Sequence, residues 1–430
     1  MLWVAYALGR ILSKGFAKNM VVLLVMEYPK LRPVEAIPAQ NNMICLRDPQ
    51  GFSDKLLLIP QPLLFIISRF DGKHSVLDIQ AEYTRRFGEL LFSDKVRQII
   101  DQLDDALFLE SERFQQAHAE AVETFRASSV REAAHAGVSY EAEAEALRNQ
   151  LEAPFVAPEG PGLPDGGDPS GRLRGLIAPH IDLRRGARCF AWSYAELARE
   201  CSARTFLLLG IVHVQTKHPF VLTAKDFKTP LGVVSTDREF LETLGARCRT
   251  DFYEDEFCHR GEHSIEFQVL FLQYLYGGDE RLRIVPVLCS LSPELYQGGS
   301  IAGDPEIGEF IEALSNTLKE ASSEVCCIAA VDLSHIGQRF GQHVAVRPPL
   351  LEQIEREDRN MIATILSGDA DAFFRGIQEE RDRRNVCGVP AIYTLLRIVE
   401  ADNGSLLRYE QAVDTSSQSV VSFMAGAFYC

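Results

Sequence analysis

From residue 173 to the end, short apolar runs alternate with amphipathic stretches, and this alternation constrains the fold more than any other feature of the sequence. Runs at 173–178, 204–211, 282–289 and 325–331 have the length of strands. Segments 187–200, 263–276, 306–320, 351–366 and 389–400 have the length and apolar spacing of helices. Strands joined through helices pair in parallel and bury both faces. The pattern therefore predicts an α/β domain, a three-layer sandwich of helices around a largely parallel sheet. "LRYEQAV" and "SVVSFMAGAFYC" predict two closing strands.

Ligand sites in such sheets form beyond the carboxyl ends of the strands, and the polar residues fall there. Strand 173–178 runs into Pro179-His180, and strand 204–211 into His213. Strand 325–331 runs into "VDLSHIG", with Asp332 and His335. "NVCGVP" places Cys387 before the helix at 389–400, and "GEHSIEFQ" sets Glu262, His263 and Glu266 at a helix start. A single histidine after a strand is ordinarily a hydrogen-bonded structural residue, and Glu262-His263 alone reads as N-terminal capping charge. His259 and His263 have the i, i+4 spacing of metal ligands, but Gly261 between them argues against one continuous helix. Convergence carries the reading, because all five motifs would face one crevice. "APHIDLRRG" poses a further question: Asp182, Arg184 and Arg185 suit either a carboxylate- or phosphate-bearing ligand, or one arginine neutralising Asp182 and the other solvated.

The 430 residues carry 60 acidic against 44 basic side chains, a net charge of −16 without a dense basic patch, which argues against nucleic acid as partner. Ten cysteines without a CxxC pair fit reduced thiols in the cytoplasm better than a disulfide framework. No apolar stretch has the roughly 18–20 residues that span a bilayer, so no membrane partner is expected. Residues 1–26 are cationic (Arg10, Lys14, Lys18) and lack acids; they read as an over-extended start with translation beginning at Met26, against a cleaved or interfacial segment.

Residues 27–111 read as a small α+β module. "LLLIPQPLLFIISRF" predicts an apolar helix ending at Asp71-Gly72, Ser75 caps a second, and a third from Ser93 leads to a strand at "LFLES". This winged-helix-like pattern resembles the PqqD-like peptide-recognition domains; a packing or dimerisation domain is the alternative. Residues 112–172 read as an Ala/Glu-rich helix (115–150) and then a Pro/Gly-rich linker or surface loop.

The ordered set "REAAHAGVSY" (131–140), "LIAPH", "LLLGIVH", "TPLG", "EHSIEFQ", "VPVL", "DLSHIGQRF", "CGVPAI" and "SVVSFMAGA" resembles the Memo family, which includes AmmeMemoRadiSam system protein B. The resemblance begins near 131 and runs to the end. It implies a fold like that of the LigB-type class III extradiol dioxygenases, with a non-haem metal at one end of the sheet. It places the metal ligands at His180, His213 and Cys387 and further pocket residues at His263, Asp332 and His335. Two imidazoles and a thiolate would favour iron(II) or copper, with zinc also suited, over magnesium or calcium. His263 and His335 would act as general acid or base and Asp332 would orient an imidazole, while Asp182, Arg184, Arg185 and Glu262 would face the substrate. "IDLRRG" and Val214 depart from the family's usual aromatic and second-imidazole positions.

Three functions follow from the resemblance. One is a dioxygenase-like, metal-dependent redox enzyme working with a radical-SAM protein and other AmmeMemoRadiSam members on a small-molecule or peptide substrate. Another is a non-catalytic scaffold whose N-terminal module grips a peptide. The third is a zinc hydrolase.

Overall fold

The computed structural model describes residues 27–41, 43–164 and 169–430; the reading of 1–26 lies outside them. The chain forms two compact units, one up to Ala127 and one spanning Ser128–Cys430.

The first unit pairs β1 (Glu35–Ala39), β2 (Met43–Arg47) and β3 (Leu57–Pro60) as an antiparallel sheet in that order. Helices Gln61–Ile67, Val76–Phe87, Ser93–Asp105 and Glu112–Ala127 follow. "LLLIP" is thus a strand and not the start of a helix. Pro60 stands at the N-cap with Pro62 just inside, where a missing N–H costs nothing, so the helix cannot begin earlier. Ser75 caps the second helix through a reciprocal capping box with Asp78. The strand expected at "LFLES" is reduced to one bridge between Leu31 and Leu109. Ile66, Ile79, Val96, Ile100, Leu103 and Phe108 close a core of the unit's own.

The helix expected over 115–150 is two helices, Glu112–Ala127 in the first unit and Ala144–Val156 in the second. The hydroxyl of Ser128 accepts from Val130 N, the chain turns, and β4 (Val130–Arg131) joins a sheet. The other strands are β5 (Leu173–Ala178), β6 (Thr205–Ile211), β7 (Phe220–Leu222), β8 (Asp226–Thr229) and β9 (Gly232–Thr236). They continue as β10 (Arg283–Cys289), β11 (Val325–Ala330), β12 (His335–Gly337), β13 (Asn403–Asp414) and β14 (Ser419–Tyr429). The order is β12-β14-β5-β11-β6-β10-β9-β8-β4, with β13 on β14 and β7 on β10.

Strands β5, β11, β6 and β10 are mutually parallel, as expected, and antiparallel pairs flank them. Alternate side chains feed two cores. Ile177, Leu207, Leu209, Val285 and Ala329 pack with helices Pro305–Glu320, Pro348–Leu366 and Val389–Ile398. Leu176, Ala178, Phe206, Leu208 and Ile328 pack with helices Leu183–Glu200 and His263–Tyr276. This is a mixed α/β sheet with helices on both faces.

Close approach of helix to sheet depends on Gly210 in β6. A Cβ there would stand 2.6 Å from Ser264 Oγ and Ile265 Cγ1. Its absence lets Ser264 stitch the start of helix His263–Tyr276 to the end of β6, accepting from Ile211 N at 3.1 Å and donating to Ile211 O at 3.0 Å.

A candidate metal centre at the carboxyl ends of the strands

His180 follows β5, and Pro179 ends that strand's run without offering a further N–H. The Nδ1–H of His180 donates to Ala330 O at 2.9 Å across the β5–β11 pair, which leaves Nε2 with its lone pair. His213 follows β6, and its Nδ1 lies 3.0 Å from Glu262 Oε2. His263 is the first residue of its helix, and its Nδ1 lies 3.1 Å from Glu262 Oε1. Ring centroids of His180 are 5.2 Å from both others, while His213 and His263 stack at 4.9 Å with 19° between planes. One ring nitrogen from each of the three lies within 4.8 Å of the other two.

The surrounding groups tune this cluster. Burial, together with the nearby imidazoles of His213 and His263, holds His180 well below the usual histidine range. Burial also acts to lower His213, but the Glu262 carboxylate outweighs it and raises that imidazole. Asp332 accepts from His180 N at 3.1 Å and Ile181 N at 3.2 Å, and its other oxygen is 3.7 Å from His180 Nε2. Burial pushes its carboxyl up to about 7. Cys387 Sγ lies 3.3 Å from His180 Nε2 and donates to Asp332 O at 3.6 Å. Burial, with Asp332 nearby, raises this thiol well above its ordinary value, so it keeps its proton unless a cation replaces it. Gly388 permits the approach: a Cβ there would meet Asp332 O at 2.7 Å. His335 donates from Nδ1 to Leu333 O at 3.0 Å, and burial brings it down to about 4, so it is a neutral base.

The residues expected to face the substrate have other partners. Asp182 is the N-cap of helix Leu183–Glu200 and accepts from Arg184 N. Arg184 donates to Val138 O, and Arg185 pairs with Asp414. The charged run after Pro179 is thus a helix start, four residues earlier than the apolar spacing predicts, because the cap and first turn are polar. Glu262 is buried and accepts from His213 N, His263 N and Ser264 N besides facing the two imidazoles, so its lone pairs are taken. His259 lies in a separate short helix, Glu256–Arg260, and bonds Val221 O, so it does not join His263.

A supporting frame went unread in the sequence. Buried Arg131 pairs with Glu266 and donates to His259 O at 2.9 Å and Glu262 O at 2.7 Å. Tyr140 donates to the same Glu266, as do Ala134 N and His135 N at 3.0 Å. Gln268 Nε2 donates to Pro179 O at 2.9 Å and is held by Tyr194. "EHSIEFQ" therefore orients two imidazoles, supplies one, stitches to β6, anchors to Arg131 and grips the turn before His180. Buried polar side chains on an otherwise apolar helix were the available signal.

A mixed α/β sheet with an imidazole cluster at its carboxyl edge, suited to hold a metal ion, defines the class of protein. The sequence matches the Memo-like protein family over residues 131–427, and the chain belongs to that family. It is 28% identical over 405 residues to a MEMO1 family protein of Aquifex aeolicus, covering 93% of this chain and 100% of the relative. A MEMO1 family protein of Methanopyrus kandleri is 32% identical over 305 residues, 69% of this chain and 98% of the relative. One from Sulfurisphaera tokodaii is 30% identical over 309 residues, 70% and 99% respectively. The archaeal relatives are thus matched almost whole by about the length of the second unit. Among the described residues no helix is long and apolar enough to cross a membrane.

Proposed function

We propose that the protein is a metal-dependent redox enzyme, dioxygenase-like in its site, that works on a small molecule or peptide alongside a radical-SAM protein and other AmmeMemoRadiSam members. The observation that carries the reading is the cluster of three imidazoles with ring nitrogens within 4.8 Å, two of which, His180 and His213, have Nδ1 bonded to an acceptor. That is how proteins prepare histidines for a cation, with an outer partner fixing each ring. Of the donors, His180, His213 and Cys387, whose sulfur lies 3.3 Å from His180 Nε2, would hold the ion. His263 completes the rim. Imidazole and thiolate suit iron(II), copper or zinc, and a redox-active ion there supplies one-electron chemistry.

The chain's own residues supply the rest. His335 accepts a proton at Nε2, its Nδ1–H being committed to Leu333 O. Asp332, held near neutrality by burial, gives or takes one beside His180. His213 is exposed on one edge, which leaves the cluster a way in for substrate. In the first unit, the PqqD-like reading assigns the capture of a peptide. The chain functions in the cytoplasm on this reading.

Metal analysis of anaerobically purified protein, with oxygen uptake followed alongside, tests it. About one iron or copper per chain with oxygen consumption supports the redox reading. Stoichiometric zinc without uptake favours the hydrolase reading over the redox one, and a metal-free chain that binds ligand favours the scaffold.

A further inference from the structure

We infer that Glu262 is a positioning residue that sets the tautomer of His213, so that the ring offers a bare Nε2 while its Nδ1–H is held by the carboxylate. Its two oxygens divide the work. Oε2 takes His213 Nδ1 at 3.0 Å and His213 N at 3.2 Å. Oε1 takes His263 N at 2.8 Å and Ser264 N at 2.9 Å, while His263 Nδ1 stands 3.1 Å away without the alignment of a hydrogen bond. A carboxylate only accepts, so the neutral His213 ring must carry its proton on Nδ1 and present a bare Nε2. The His213 and His263 rings stack with 19° between planes. Arg131 holds the backbone carbonyl of Glu262 at 2.7 Å, which fixes the turn that carries the carboxylate.

Replacing one oxygen by an amide changes what His213 meets in a defined direction. In Glu262→Gln the amide oxygen belongs on the His263 side, where two backbone N–H groups require an acceptor, and the NH2 group then faces His213. That ring can only accept there, so its proton moves to Nε2 and its inward lone pair is lost. Glu262→Asp, acceptor-only like the native residue, leaves the His213 proton on Nδ1.

The experiment records two-bond 1H–15N spectra of metal-free, 15N-histidine-labelled full chain at about pH 9, where imidazoles are neutral, and titrates zinc into the same samples. The expected result is Nδ1–H on His213 in the native protein and Nε2–H on His213 in Glu262→Gln. Zinc affinity, which rests on the metal-centre reading, should fall by about 10–100-fold in that variant. Unchanged tautomers in Glu262→Gln overturn the inference. If that variant does not fold, an Nε2–H signal from His213 of the native protein overturns it equally. The tautomer shift in a native protein that binds no metal would uphold the positioning role and remove the metal centre.

Discussion

Cys387 Sγ stands 3.3 Å from His180 Nε2 and 3.6 Å from Asp332 O. The two residues are 207 positions apart and meet because β5 and the turn before helix Val389–Ile398 end at the same edge of the sheet. Without a cation the thiol is protonated and the pair is a weak neutral contact; with one, it is the sole soft anionic donor beside neutral imidazoles. Cys387→Ala should therefore lose most bound metal while its circular dichroism stays native, and His180→Ala and His213→Ala should behave alike. His263→Ala should keep more metal than any of these, and Cys189→Ala, in the core, should keep all of it. Metal per chain by mass spectrometry decides. Full loss in His263→Ala with metal retained in Cys387→Ala would make the centre a three-histidine site.

Arg131 and Glu266 are both buried, and the pair anchors the turn that carries Glu262 and His263. Removing one partner leaves an uncompensated buried charge. Arg131→Met should cost about 3–5 kcal/mol in urea unfolding. The double variant Arg131→Met with Glu266→Gln should cost less than the single one, since no charge is stranded. A loss under about 1 kcal/mol in Arg131→Met would show that water reaches the carboxylate.

The strand and helix alternation was legible because each parallel strand is buried on both faces and reads as an unbroken apolar run. The histidines at strand ends were legible for the same reason, as polar residues directly after such runs. What joins them was not. Gln268 meets Pro179 across 89 positions, Ser264 meets Ile211 across 53 and Arg131 meets Glu266 across 135. No local period records a bond of that span. Asp182, Arg184 and Arg185 read two ways for the opposite reason: a polar N-cap and first turn look like the rim of a site when the strand before them ends in one. In the first unit, "LLLIP" continues the apolar character of the helix after it, and only the two prolines mark where strand becomes helix.

His259 supplies a pH dependence separate from the metal centre. Burial brings its imidazole down to about 3, and its Nε2 bonds Val221 O at 3.0 Å. Unfolded, the ring takes a proton below about 6.5; folded, it does not until about 3, so in that window the unfolded state binds more protons. Stability thus falls as pH falls from about 6.5 toward 3, by up to about 1.4 kcal/mol per pH unit from this residue. His259→Gln keeps a donor for Val221 O and removes the titration. Its unfolding free energy should fall less steeply over the same range. An identical slope in both proteins would mean the ring is protonated in the fold.

The second unit should fold and bind metal alone. It has cores on both faces of its sheet, and every residue of the imidazole cluster lies within it. Relatives from Methanopyrus kandleri and Sulfurisphaera tokodaii, matched over 98% and 99% of their own length by 305 and 309 residues, have about the extent of this unit. A fragment Ser128–Cys430 should be monodisperse and cooperatively unfolding, with a zinc affinity within about twofold of the full chain, as expected of a domain with its own core. Starting the fragment at Gly171 should fail, because it removes Arg131, Tyr140 and the helix Ala144–Val156 that packs Leu147, Leu151 and Phe155 into the second core. Folding of the shorter fragment with metal bound would show that the Arg131 frame is dispensable. Failure of the longer one would tie the stability of the Memo-like unit to the first 127 residues.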